Sequence, residues 1–239
     1  MSFGQYETQA LEGTAMTFQE EKAFVEYAFQ RMKERGWFSQ TGLVPTGVTD
    51  GEIAAFEEEY QIKLPSLYKA FLQSYEINFH FCGICNEPDL YTCPHPLTLN
   101  TGMQELREAM EEFRRSAREY FSYSAGPEEF GKYLPIGLWD SDWLLWDLSK
   151  PEDQVIVDDP SFGASWLLTS FAHDEAWDED YWREGGCPVA PDFRTLLEWF
   201  FFGSLIPEFE AENHVKVTYQ RLNNYEFLWH WYEDRWKED

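Results

Sequence analysis

The feature that most constrains the fold is the run Thr49–Glu76, TDGEIAAFEEEYQIKLPSLYKAFLQSYE, which reads as two helices meeting at a proline-marked corner. Thr49 and Glu52 have the spacing of a capping box, which starts the first helix. Ile53, Phe56 and Tyr60 recur at i, i+3 and i+7 and lay one apolar stripe along it. Of the three acids after Phe56, two are expected in water. Glu57, one turn from Ile53, is expected at the rim of the dry side. Gln61–Leu64 turns the chain, and Pro65 suits the first position of the second helix, where a missing N–H is no loss. Leu67, Tyr68, Phe71, Leu72 and Tyr75 then follow at helical spacing. Burying each such side chain stabilises by about 1.5–3 kcal/mol before entropy, so this pair of helices is expected to anchor the core.

Upstream, residues 1–16 are polar and expected to be loosely held. Thr17 and Glu20 repeat the capping-box spacing ahead of Phe24, Val25, Ala28, Phe29 and Met32, with Gly36 as the stop. Downstream, Met103, Leu106, Met110, Phe113, Ala117, Tyr120 and Phe121 mark a long amphipathic helix from about Thr101. The period then changes. Tyr133–Leu138, Trp143–Leu148 and Gln154–Asp158 are short, aromatic and β-branched, with turn residues between them, and read as consecutive antiparallel strands. Ser165–Phe171 is a fourth candidate. The acidic run HDEAWDEDYWREGG is expected to be a loop, and Asp192 to open a helix bearing Phe193, Leu196, Leu197, Phe200 and Phe201. Near the C-terminus, Val215–Tyr219 looks like a strand and Asn224–Lys237 like a helix. The expected fold class is α+β: a single, mainly antiparallel sheet flanked by helices, with helical additions at both ends.

Charge narrows the partners. The chain carries 44 acids and 18 bases, a formal net charge of −26, so phosphate backbones and anionic membranes are repelled. A basic protein would be attracted and steered. Hydrophobic residues at 44% and aromatics at 18% exclude a disordered composition. The N-terminus, MSFGQYETQALEG, lacks a basic start and an apolar block. The longest wholly apolar patches, such as Trp199–Phe202, are too short to span a bilayer. Four cysteines in a chain of this length are not a disulfide scaffold. A cytoplasmic protein is expected.

Motifs for chemistry are weak. Cys82, Cys85, Cys93 and His95 supply ligand types for a tetrahedral zinc site, but Phe79, Phe81 and Ile84 among them favour ordinary buried thiols, and no cofactor is expected. Gly126–Tyr133 fails as a phosphate loop, because Glu128 and Glu129 stand where phosphate oxygens would lie. Asp140, Asp142, Asp147, Asp158 and Asp159 lack the glycine and terminal glutamate of a calcium loop; strand turns and solvated edges explain them better. No nucleophile arrangement stands out and the five histidines are scattered, so an enzyme, specifically a hydrolase working through surface carboxylates, is disfavoured. The stronger signal is surface character. From Glu128 to Glu184 there are 15 acids and 3 bases, interleaved with Trp139, Trp143, Trp177 and Trp182. Such tryptophans either pack inward or anchor an interface whose charges supply steering. The candidate partner-binding set is Trp139, Asp140, Asp142, Trp143, Asp158, Asp159, Asp174, Glu175, Trp177 and Asp178.

Two stretches resemble the SUKH superfamily, which includes fungal cell-wall-synthesis regulators, the SecY-interacting protein Syd and many bacterial toxin-immunity proteins. The first is carried by Ile53, Phe56, Glu57, Leu64, Pro65, Tyr68, Phe71 and Leu72. The second is YLPIGLWDSDWLLWDLSKPEDQVIVDD, through Leu134, Pro135, Ile136, Gly137, Leu145, Asp147, Leu148 and Val155–Asp158. The helix DFRTLLEWF is similar to the family's closing helix. The glycine doublet often found after the second helix is missing from Ser74–Asn78. The resemblance covers about Thr49–Phe202 and implies a SUKH-like core domain over 49–207; outside it, an N-terminal extension with one helix over 1–48 and an aromatic-rich extension over 208–239 packed on the core are expected. It also implies a non-catalytic role: a bacterial immunity protein that neutralises a cognate toxin with a basic surface, such as a nuclease. The alternative it implies is an intracellular regulatory scaffold.

Overall fold

Thr49 caps the first helix of the corner in the structure, a computed structural model that describes residues 17–34, 43–76, 97–121, 131–139, 142–156, 161, 163–172 and 185–197. The elements are α1 (Phe18–Glu34), α2 (Asp50–Tyr60), α3 (Ser66–Leu72), β1 (Leu97–Leu99), α4 (Met103–Phe121), β2 (Tyr133–Trp139), β3 (Asp142–Asp147), a 3-10 turn (Glu152–Gln154), β4 (Leu168–Phe171), β5 (Cys187–Ala190) and α5 (Phe193–Leu197). The five strands form one antiparallel sheet in sequence order. The α+β class is as expected. The expected elements at 215–219 and 224–237, the cysteine cluster and the stop at Gly36 lie outside the described residues.

The corner is held from inside. Glu57 is not at the rim but buried. Its carboxylate accepts a hydrogen bond from the Leu64 N–H at 2.9 Å and from the Lys63 ammonium at 2.8 Å, and Lys69 lies 3.6 Å away. Burial works to raise this carboxyl, but the bonds from Lys63 and Leu64 and the charge of Lys69 outweigh it, so the group lies below the usual carboxylate range. Gln61, in the left-handed conformation at φ 55°, ends α2. Pro65 sits one position earlier than expected. Its ψ of 147° is extended, so it is the cap of α3, not its first residue, and its carbonyl accepts from the Lys69 N–H at 3.0 Å.

The apolar stripes of both helices enter one core with α1. Phe24, Val25, Ala28 and Phe29 are buried there, and Phe29 meets Phe71 and Tyr75 at ring separations of 6.1 and 5.5 Å. Glu21 of α1 is buried too. It accepts from the Ser66 hydroxyl and faces Arg194 of α5 at 3.4 Å. Burial pushes its carboxyl up, against the pull of Ser66 and Arg194. Asp192 caps α5 as its position predicts, accepting from the Thr195 N–H at 2.6 Å. On the other flank, the Arg107 and Arg114 guanidinium groups of α4 lie over the rings of Phe56 and Tyr60, at 5.5 and 4.7 Å.

The sheet is buried on both faces. Leu134, Ile136, Leu144, Trp146 and Leu168 point into the helical core, where Trp146, Tyr68 and Phe193 meet ring to ring. Alternate positions Tyr133, Leu145 and Phe171 form a second cluster with Phe113 and Ala117 of α4. The Pro-Ile-Gly of β2 is a bulge: Pro135 pairs with Leu145 and Gly137 with Leu144, leaving Ile136 as the extra residue. Asn100, between β1 and α4, accepts the shape of that bulge. Its N–H donates to the Ile136 carbonyl at 2.8 Å and its amide to the Pro135 carbonyl at 3.1 Å. Gly137 is required by close approach, since a Cβ there would lie 1.8 Å from the Thr98 carbonyl oxygen.

The strand expected over Gln154–Asp158 is not one in its described part. Pro151–Gln154 winds into a 3-10 turn, and Ile156 bonds to side chains instead of a strand: its N–H donates to Ser165 Oγ at 2.9 Å and its carbonyl accepts from the Trp166 indole at 3.1 Å. Glu57→Gln is expected to cost about 1–2 kcal/mol in urea unfolding at pH 7. A depressed carboxyl stabilises above its unfolded value of roughly 4.3 and ceases to as pH falls through the folded value. The gap between variant and parent should therefore close as the pH falls below the unfolded value and through the folded one; a gap constant over that fall contradicts the clamp.

Candidate functional site

Three of the sequence-picked residues come together at one end of the β2–β3 hairpin. Trp139 ends β2 opposite Asp142, the first residue of β3, and Trp143 stands opposite Leu138 and Phe171. Asp142 is partly exposed. Trp143 is half-buried, edge-on to Phe113 with ring centroids 5.6 Å apart, so it braces the second cluster while part of it stays at the surface. Beside it Leu138 is exposed, an apolar neighbour the sequence did not single out. Asp140, Asp158, Asp159, Asp174, Glu175, Trp177 and Asp178 lie outside the described residues, as do Cys82, Cys85, Cys93 and His95. Among the described residues no three or more His, Cys, Asp or Glu are grouped to hold a metal ion.

At the other end of β3, Asp147 is buried and fully used by the fold. It accepts from the Ser149 N–H at 3.0 Å and the Ser149 hydroxyl at 2.5 Å, with the ammonium groups of Lys132 and Lys150 at 3.7 and 3.9 Å. The aspartate thus fixes the turn after β3 and gathers two of the three bases of the acidic segment. Lys150 also donates to the Trp166 carbonyl at 2.9 Å, which ties that turn to the start of β4.

Next to Lys150 lies a cavity of about 350 Å³, lined among others by Trp166, Leu168, Thr169, Gly185 and Pro188. The Thr169 hydroxyl donates to the Gly185 carbonyl at 2.6 Å, with the Cys187 carbonyl 3.0 Å away, and so fixes the entry to β5. Gly186 allows that turn to lie on the strand: its φ is 72°, and a Cβ would stand 2.5 Å from the Ser170 carbonyl oxygen. This cavity is assembled from three separated segments, and no local pattern in the sequence announced it.

The chemistry these groups offer is recognition: an acidic hairpin end with exposed apolar surface at Leu138, and a hollow of mixed polar and apolar lining behind a turn pinned by Asp147. Asp147→Ala is expected to cost about 1.5–3 kcal/mol, the range for hydrogen bonds to a charged group, and Asp147→Asn less, because one acceptor for Ser149 survives. Urea unfolding of both variants checks this; equal losses would contradict the role given to Ser149.

Comparisons with curated proteins and with solved structures returned no match. A sequence model of the SMI1 / KNR4 family (SUKH-1) matches residues 47–199, which takes in α2 through α5 and the whole sheet. Domains of this family are generally non-catalytic, and the family includes immunity proteins. With the corner, the bulged Pro-Ile-Gly strand and the buried Asp147 all in place, and most of its length matched, the chain belongs to the SMI1 / KNR4 family (SUKH-1).

Proposed function

We propose that this chain is a non-catalytic binding domain, a bacterial immunity protein that neutralises a cognate toxin by covering a basic surface on it. The observation that carries this reading is the charge of the segment 128–184 in a member of this family: 15 acids against 3 bases. Two of those three bases, Lys132 and Lys150, sit at the buried Asp147, so positive charge is drawn to the turn. Asp140, Asp142, Asp158, Asp159, Asp174, Glu175 and Asp178 would steer the partner, and Trp139, Trp143 and Trp177 would anchor it. A nuclease suits this face, because a surface made for phosphates is basic. The binding unit is 49–207, with 1–48 and 208–239 as additions to it. The site of action is the cytoplasm. Among the described residues no helix is long and apolar enough to cross a membrane.

The test pairs the full chain with the toxin domain encoded beside it. Co-expression should protect cells, and the dissociation constant should rise about tenfold or more between about 50 and 500 mM salt, chiefly through a slower association rate. Asp140, Asp142, Asp158 and Asp159 changed together to Asn should slow association at low salt and leave dissociation nearly unchanged. Killing that is equal with and without the chain contradicts the immunity reading. Several weak partners in place of one tight one point to a regulatory scaffold.

A further inference from the structure

We propose that α1 is a proton-sensitive strap, tied across α3 and α5 through Glu21 and held more tightly in mild acid than above neutrality. The helix lies ahead of the family-matched residues 47–199. Glu21, Phe24, Val25 and Ala28 stand at i, i+3, i+4 and i+7, and all four are buried. The stripe that docks α1 therefore begins with a carboxylate. Its apolar part packs on α3, where Phe29 meets Phe71. Its carboxylate accepts from the Ser66 hydroxyl at the start of α3 and faces the Arg194 guanidinium of α5 at 3.4 Å. One side chain of α1 thus joins both neighbouring helices.

The two buried glutamates differ in what meets them. Glu57 has an N–H and two ammonium groups. Glu21 has one hydroxyl and one guanidinium, and Lys69 acts on it through charge alone, because that ammonium lies 3.6 Å from Glu57. Arg194 is shared as well. Its guanidinium lies over the Phe24 ring at 5.9 Å and also acts on Glu152 of the 3-10 turn. Glu152 has an exposed side, yet crowding by protein, then the charges of Asp192 and Glu21, push its carboxyl up against the pull of Arg194. That repulsion is mutual, so a charged Glu21 is opposed from the turn as well as by its burial. A place in the first turn of α1 favours the charge. Burial outweighs the help from Ser66, Arg194 and Lys69, and the Glu21 carboxyl is raised. A raised carboxyl contributes stability that is whole below its unfolded value of roughly 4.3 and is lost as pH rises through the folded value. The joint therefore loosens towards neutral pH, the reverse of the Glu57 clamp.

The experiment follows hydrogen exchange of the full chain from about pH 5 to about pH 8, each rate being divided by the intrinsic rate of that amide at that pH. Protection of the α1 amides from Phe24 to Phe29, taken relative to the α4 amides from Leu106 to Met110, should fall about twofold or more across the range. In Glu21→Gln the fall should vanish, and α1 protection at about pH 8 should match or exceed the parent's. Glu152→Gln, made at an exposed position, should also raise α1 protection at about pH 8. A flat ratio of α1 to α4 in the parent overturns the inference. Relative protection that rises with pH also overturns it, since that is how an ordinary ion pair between Glu21 and Arg194 would behave. The inference likewise falls if Glu21→Gln keeps the parent's slope, or if Glu152→Gln leaves the parent's profile unaltered.

Discussion

A buried carboxylate fixes the angle on which the fold depends. Glu57 bonds forward across the turn to Leu64 and Lys63, so the stripe of Ile53, Phe56 and Tyr60 and the stripe of Tyr68, Phe71 and Leu72 face one core. A carboxylate taken out of water is tolerable only when its lone pairs are met, and here an N–H and two ammonium groups meet them. The corner then presents Tyr68 and Phe71 to Phe193 of α5, and Tyr68 to Trp146 of the sheet. Phe56-Glu57 and Leu64-Pro65 thereby work as one device: the glutamate reaches the residue just before the proline.

A second buried acid does the same for the sheet. Asp147 closes the turn after β3 and draws in Lys132 and Lys150. The Ile136 bulge, read by Asn100, lets the three-residue β1 join the edge of β2. These devices hold a sheet whose two faces each carry a packed apolar cluster. Such a sheet suits binding by preorganised shape, where little ordering entropy is lost on association.

The helical corner, α4, the hairpin β2–β3 and the cap at Asp192 were legible because each carries a local signal: a capping box, a 3.6 period, an alternation, or an aspartate ahead of an apolar stripe. Leu97–Leu99 is too short to show alternation, and Pro188 argues against the strand it occupies at the far side of β4. Residues 154–158 misled because Val and Ile favour strands, while Pro151 started a turn and Ser165 and Trp166 captured Ile156. Of the candidate site, composition gave the acidic segment, and the hairpin brought Trp139, Asp142 and Trp143 to one end. The exposed Leu138 and the hollow beside Lys150 depend on cross-strand register and on contacts between distant segments, which no window of sequence contains.

The central claim is that recognition uses the sheet's acidic margin and leaves the helical side free. Hydrogen exchange of the chain with and without its bound toxin domain tests this most directly. The account predicts slowed exchange at the β2–β3 hairpin end and around Gly163–Thr169 and Gly185–Ala190, with the amides of α1 and α2 unchanged. Protection centred on α1 and α2, with the hairpin end unaffected, would contradict it.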